Sequence, residues 1–124
     1  MIINGNTYEM PEVTYNAICI LSKNGYDIMN SSKEISYMEQ IRIIIAWAIN
    51  TTPDLAGAMI DTHVNEGGDY QDLATVVFGE FNEAVLNSGF FQQLKKKAEE
   101  KAEKEAKATQ NKKNSKTIVE AQET

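Results

Sequence analysis

"IIIAWAI", residues 43 to 49, is the longest apolar run in this 124-residue chain, and whether it forms a strand or a helix decides the fold. Periodicity cannot separate the two over so short a run, but the surroundings can. Upstream, Ser31 followed by Glu34 fits a capping box, in which the hydroxyl serves one free amide and the carboxylate reaches back to another. A segment from that cap to Ile49 spans about 19 residues, far longer than an ordinary strand. Ile35, Met38, Ile45 and Ile49 share one face of it, and Ile43, Ile44 and Trp47 fill the opposite side. The second half is therefore apolar all round, which predicts a central, buried helix.

Working outward, Thr52-Pro53-Asp54 is a helix start, with proline at the first helical position and an acid near the positive end of the dipole. That helix runs through Leu55, Ala56, Met59, Ile60 and Val64 to Gly67-Gly68, which stops it. Asp69 caps the next, where Leu73, Val77, Phe81, Ala84 and Val85 form an arc that Ala74 and Phe78 widen. So broad an arc exceeds what one neighbour covers, which predicts that part of it meets another subunit or a partner. Toward the N-terminus, Val13, Ala17, Ile18 and Leu21 lie on one helical face, and Gly25 supplies a left-handed stop. Asn4-Gly5, between "MII" and "NTYEM", is a hairpin signal. After Asn87-Ser88-Gly89 a last helix begins at Phe90-Phe91, with Ser88 as its cap. From Lys95 to Lys107 it carries Lys/Glu pairs spaced i, i+4, each worth roughly 0.2 to 0.5 kcal/mol to an exposed helix.

The expected fold class is mainly α: a compact helical body of about four helices with a short N-terminal β-hairpin, then a solvated C-terminal helix and a disordered tail. The expected division is a body over residues 1 to 91, a charged helical arm over 92 to 108, and a tail over 109 to 124 whose composition cannot build a core. Charge follows the same division. Up to Phe91 there are three basic residues against twelve acidic ones, a net of −9; beyond it nine Lys face six Glu, a net of +3. A body of about 90 residues buries only roughly two thirds of its unfolded surface, so self-association as a homo-oligomer stays open.

Composition excludes more functions than it suggests. The seven-residue apolar run falls well short of the roughly twenty residues of a membrane span. The opening "MIINGNTYEMPEV" lacks the basic stretch and long apolar core of a secretory signal, so an intracellular soluble protein is expected. Cys19, the only cysteine, sits in "AICIL" and reads as a small core residue. His63, the only histidine, lies near Asp61, Glu66 and Asp69, but its place in the last turn of a helix fits an exposed side chain favoured by the dipole better than a metal ligand. Gly67-Gly68 has neither the preceding strand nor the following Lys-Ser/Thr of a phosphate loop. Asp69 and Asp72 fit capping better than acid/base catalysis, which needs a desolvated cleft. No enzyme, cofactor or metal is expected. The arm alternates Lys with Glu, which argues against nucleic acid, and it has no apolar face for a membrane.

In the opening "INGNTYEMPEVTYNAICIL", the central "IRIIIAWAINTTPDLAGAMI", the "EGGDY" turn and the "SGFFQQLKKK" exit into a Lys/Glu/Ala tail, the chain resembles the tail assembly chaperones of long-tailed bacteriophages and prophages, most like those of Gram-positive hosts. The resemblance covers about residues 1 to 108 and rests on arrangement, without a sharp motif. It implies a non-enzymatic protein of the host cytoplasm, absent from the mature virion, that binds the tape measure protein and keeps it soluble and extended while tail tube protein polymerises. In that family a programmed frameshift near the end of the short product makes a longer fusion that recruits tube protein, and Lys95-Lys96-Lys97 lies where such slippage would fall. The same three lysines read equally as a solvated helix face. A chaperone of this kind needs exposed apolar surface, for which Phe78, Phe81, Phe90, Phe91 and Leu94 are the candidate partner-binding residues; ordinary core packing is the competing reading of the four Phe. Another phage morphogenesis protein, for head-tail completion or scaffolding, shares these features. A small DNA-binding regulator is the rival from another class, although residues 70 to 86 lack the Lys or Arg its second helix would need.

Overall fold

Local signals at the helix ends set the architecture. The computed structural model describes residues 1–30 and 35–102. Among them run β1 (Ile2–Ile3), β2 (Asn6–Thr7), α1 (Tyr15–Lys23), α2 (Tyr37–Ala48), α3 (Pro53–Asn65) and α4 (Tyr70–Asn87), followed by helical residues 89–102. The protein is mainly helical with a short antiparallel N-terminal hairpin. Each of α1 to α4 opens on a side chain that accepts from the amide three residues on: Thr14 from Ala17, Ser36 from Glu39, Thr52 from Leu55 and Asp69 from Asp72. Three of the four close in one way. Gly25, Asn50 and Gly67 take positive φ, and the next amide reaches back across the turn: Tyr26 to the Leu21 carbonyl, Thr51 to Ala46, and Gly68 to His63.

Contacts along the backbone divide the chain into Met1–Phe90 and Phe91–Thr124. In the first unit the expected central helix is present, with Ile41, Ile43, Ile44, Ile45 and Ala46 of α2 all buried. Leu21 of α1, Val77 and Phe81 of α4, Ala56 of α3 and Ile3 of the hairpin are buried as well, with α2 packed on α1, α3 and α4 and β1 on α3. In the hairpin Ile2 pairs with Thr7 and Ile3 with Asn6 within one chain, across an Asn4-Gly5 turn with positive φ at both residues. Two strands of this length need outside support. It comes from both ends: the Met1 amino group donates to both Glu80 carboxylate oxygens at 2.9 and 2.8 Å, and the Asn4 amide donates to His63 Nδ1 at 2.8 Å. In the second unit, residues 92–102 form an exposed helix, as the i, i+4 charge pairs predict. The expected tail over 109–124 and the end of the arm lie outside the described residues.

Three expectations are corrected. The central helix begins at Tyr37 with Ser36 as its cap, not at Ser31: Ile35 and Ser36 are not helical, and Ser31 and Glu34 lie outside the described residues. The shorter helix moves the start of burial to Ile41, which leaves Met38 exposed although it shares the face of Ile41 and Ile45. Cys19 is exposed, because α1 buries the arc of Ala17, Ile18 and Leu21 and the residue after Ile18 points about 100° away from it. Ser88 does sit at the break before the last helix in extended backbone, and its buried hydroxyl donates 2.6 Å to the Val13 carbonyl, tying the end of α4 to the entry of α1.

Candidate partner-binding surface

Tyrosine occupies the first helical position of α1, α2 and α4, directly after the cap, as Tyr15, Tyr37 and Tyr70. A side chain there stands at the end of its helix, where only another element can cover it. Two of the three are met by a phenylalanine from a distant part of the chain. Tyr37 stacks on Phe78 with ring centroids 4.3 Å apart and planes tilted by 34°. Tyr15 meets Phe90 edge-on at 5.7 Å. Both tyrosines stay more than half exposed, so each pair forms a ledge that is aromatic on one side and wet on the other.

The five residues expected to face a partner separate in the structure. Phe81 is corrected to core: it is 2 % exposed, with its ring 6.0 Å from Trp47 and 6.1 Å from Tyr26. Phe78, three residues earlier on α4, lies at the edge of the buried arc and is only partly covered. Phe90 is half-buried beside Tyr15. Phe91 and Leu94 belong to the second unit, where Phe91 is partly exposed and Leu94 is 38 % exposed. Phe78 and Phe90 thus share the first unit's surface, on separate ledges. Sequence reasoning missed Tyr15, Tyr37, Met29 and Met38, of which all four are exposed. For Tyr15, Tyr37 and Met38 the signal was a large side chain within two residues of a helix cap, where the helical arc offers no neighbour; Met29, between α1 and α2, carried no such signal.

An open concavity lies between α2 and α3, lined by Met38, Ile60 and Ala58 and by the charges Glu39, Arg42, Asp54 and Asp61. Arg42 Nη2 donates to both Glu39 oxygens at 2.7 and 2.9 Å, and its Nη1 stands 3.6 Å from Asp54. Two polar atoms in this wall, Arg42 Nε and the Tyr70 hydroxyl, are buried without a hydrogen-bond partner among the described residues. Burial pushes the Tyr70 phenol above its ordinary range, and neighbouring Tyr37 acts in the same direction.

The remaining polar features are architectural. His63 does lie in the last turn of α3, but it is half-buried rather than exposed, and its Nδ1 accepts the Asn4 amide. Gly68 packs against the same ring, and a Cβ there would clash with His63. Among the described residues no group of three His, Cys, Asp or Glu side chains is placed to hold a metal ion, and no single helix is long and apolar enough to cross a membrane. Compared with known protein families, characterised proteins and solved structures, the chain matches none.

Proposed function

We propose that this chain is a tail assembly chaperone of a long-tailed bacteriophage or prophage: it binds the tape measure protein, keeps it soluble, and helps recruit tail tube protein in the host cytoplasm without entering the mature virion. The observation that carries the reading is the pair of exposed aromatic ledges, Tyr15–Phe90 and Tyr37–Phe78, on an acidic body. A holdase needs apolar surface for a partner's exposed helices and net charge to keep the complex in solution. Helices that lay an apolar face on such a ledge bind through i, i+3, i+4 anchors, and aromatic side chains are frequent hot spots. Recruitment of tube protein would run through a longer frameshifted product extending from the Lys-rich helix.

Co-expression with the long helical protein encoded next to this chain tests the proposal. The expected result is that the partner becomes soluble and co-purifies, and that Tyr37→Ala or Phe78→Ala reduces the amount recovered. A partner that is soluble alone and is not retained refutes the reading.

A further inference from the structure

Concave surfaces among the described residues differ in their charges, and the one lined by Ile3, Leu55 and Met59 holds none. The groove along α1 beside Tyr15 and Phe90 holds Lys23 and Asp27, which offset one another and select no sign. The groove beside the hairpin holds Asp69, Asp72 and Glu80, but Asp69 is taken by its cap and Glu80 by the Met1 amino group. The concavity between α2 and α3 is different: one cation, Arg42, faces three acids. Arg42 pairs with Glu39 and, at 3.6 Å, with Asp54, whose side chain is 97 % exposed at the rim, and Asp61 is exposed two turns further along the same face of α3. Met38, 67 % exposed, stands over the same hollow. Tyr37 sits in the chain between Ser36 and Met38, both in the lining of the hollow, and stacks on Phe78.

Resting on the chaperone reading, we propose that this concavity takes a basic amphipathic helix, its apolar face against Met38 and the Tyr37–Phe78 ledge and its Lys or Arg side chains over Asp54 and Asp61. Charge complementarity selects the partner. The net negative rim repels nucleic acid and acidic helices, and Asp54 and Asp61 at the edge of an apolar floor meet cations that an amphipathic helix carries along the borders of its apolar face. The hollow, about 610 Å³ and open to solvent, has room for several side chains of a docked helix but not for its backbone, as helix-in-groove binding requires.

The test is fluorescence anisotropy with the full chain and a labelled amphipathic peptide of about 18 residues, Leu on one face and Lys on the other, long enough to be helical when docked. A second peptide replaces each Lys with Glu. The Lys peptide is expected to bind and the Glu peptide to bind at least about ten-fold more weakly. Replacing two exposed acids, Asp54→Asn with Asp61→Asn, is expected to weaken the Lys peptide by about three- to ten-fold, while Glu9→Gln with Glu83→Gln, the same charge change outside the hollow, changes it less than about two-fold. Tyr37→Ala is expected to weaken it by about ten-fold. Circular dichroism checks that each variant is folded. The proposal is overturned if both peptides bind alike, if the two double variants lose equally, or if the chain alone sediments as a dimer that Asp54→Asn/Asp61→Asn dissociates, because the occupant is then a second copy. Partner co-purification separates this failure from that of the function: a long helical partner retained equally by wild type and Asp54→Asn/Asp61→Asn keeps the chaperone and removes the site, whereas a partner retained by neither removes the chaperone.

Discussion

Gly68→Ala is the smallest change expected to disturb the body severely. An added Cβ would overlap His63 Cδ2 and Nε2 and approach the His63 carbonyl oxygen at 2.6 Å. The ring cannot swing away freely, since Nδ1 holds the Asn4 amide, and the carbonyl cannot retreat freely, since it accepts the Gly68 amide at 2.8 Å. Overpacking of this kind costs about 1 to 3 kcal/mol, and losing the Asn4 bond adds about 1 kcal/mol. The expected loss is about 3 kcal/mol, out of roughly 5 to 13 kcal/mol for a body of this size. With a urea slope near 1 kcal/mol/M, the midpoint should fall by about 3 M, read from the fluorescence of Trp47, the only tryptophan, which lies against Phe81 in the core. His63→Ala alone should cost about 1 kcal/mol. In that background Gly68→Ala should cost about 1 kcal/mol less than in wild type, because the ring overlap is gone while the carbonyl remains. A Gly68→Ala loss under about 1 kcal/mol, or one that His63→Ala leaves unchanged, would refute the packing of His63 between hairpin turn and glycine.

Phe81→Ala should lose about 3 to 5 kcal/mol of stability, whereas Phe78→Ala should lose under about 2 kcal/mol and mainly reduce partner capture; equal losses in urea unfolding would contradict the core and surface assignment. Ser88→Ala leaves the buried Val13 carbonyl without its 2.6 Å donor and should cost about 1 to 3 kcal/mol, with an unchanged melting temperature as the contrary result. Tyr70→Phe removes a buried hydroxyl that has no partner among the described residues, so stability should hold or rise by up to about 1 kcal/mol; a clear loss in the same assay would mean the hydroxyl is paired. Burial raises the Tyr26 phenol above its unfolded value near 10, so its contribution is complete below about pH 10 and is lost as pH climbs through the folded value. Tyr26→Phe should therefore flatten the alkaline fall in urea midpoint, and an identical fall in the variant would contradict the assigned cause.

Much of this fold is legible in short stretches of chain. The Asn4-Gly5 turn, the Thr52-Pro53 and Asp69 starts, and the Gly25 and Gly67 stops all appear where their residues predict, because each signal acts within about six residues through backbone dihedrals and a side-chain cap. The burial of Ile43 to Ala46 follows from a helix with no polar face to offer. The i, i+4 pairs Lys95/Glu99 and Lys96/Glu100 likewise specify an exposed helix without reference to any neighbour. Tertiary structure alone decided what depends on where the covering ends. Ser36 rather than Ser31 begins α2, Cys19 turns outward beside buried Ile18, and Phe81 enters the core while Phe78, one turn away on the same arc, stays at its edge. Periodicity marks an apolar arc but not its covered width, which is set by elements distant in sequence: Tyr37 limits the cover of Phe78, Tyr15 meets Phe90, and Val13 receives Ser88.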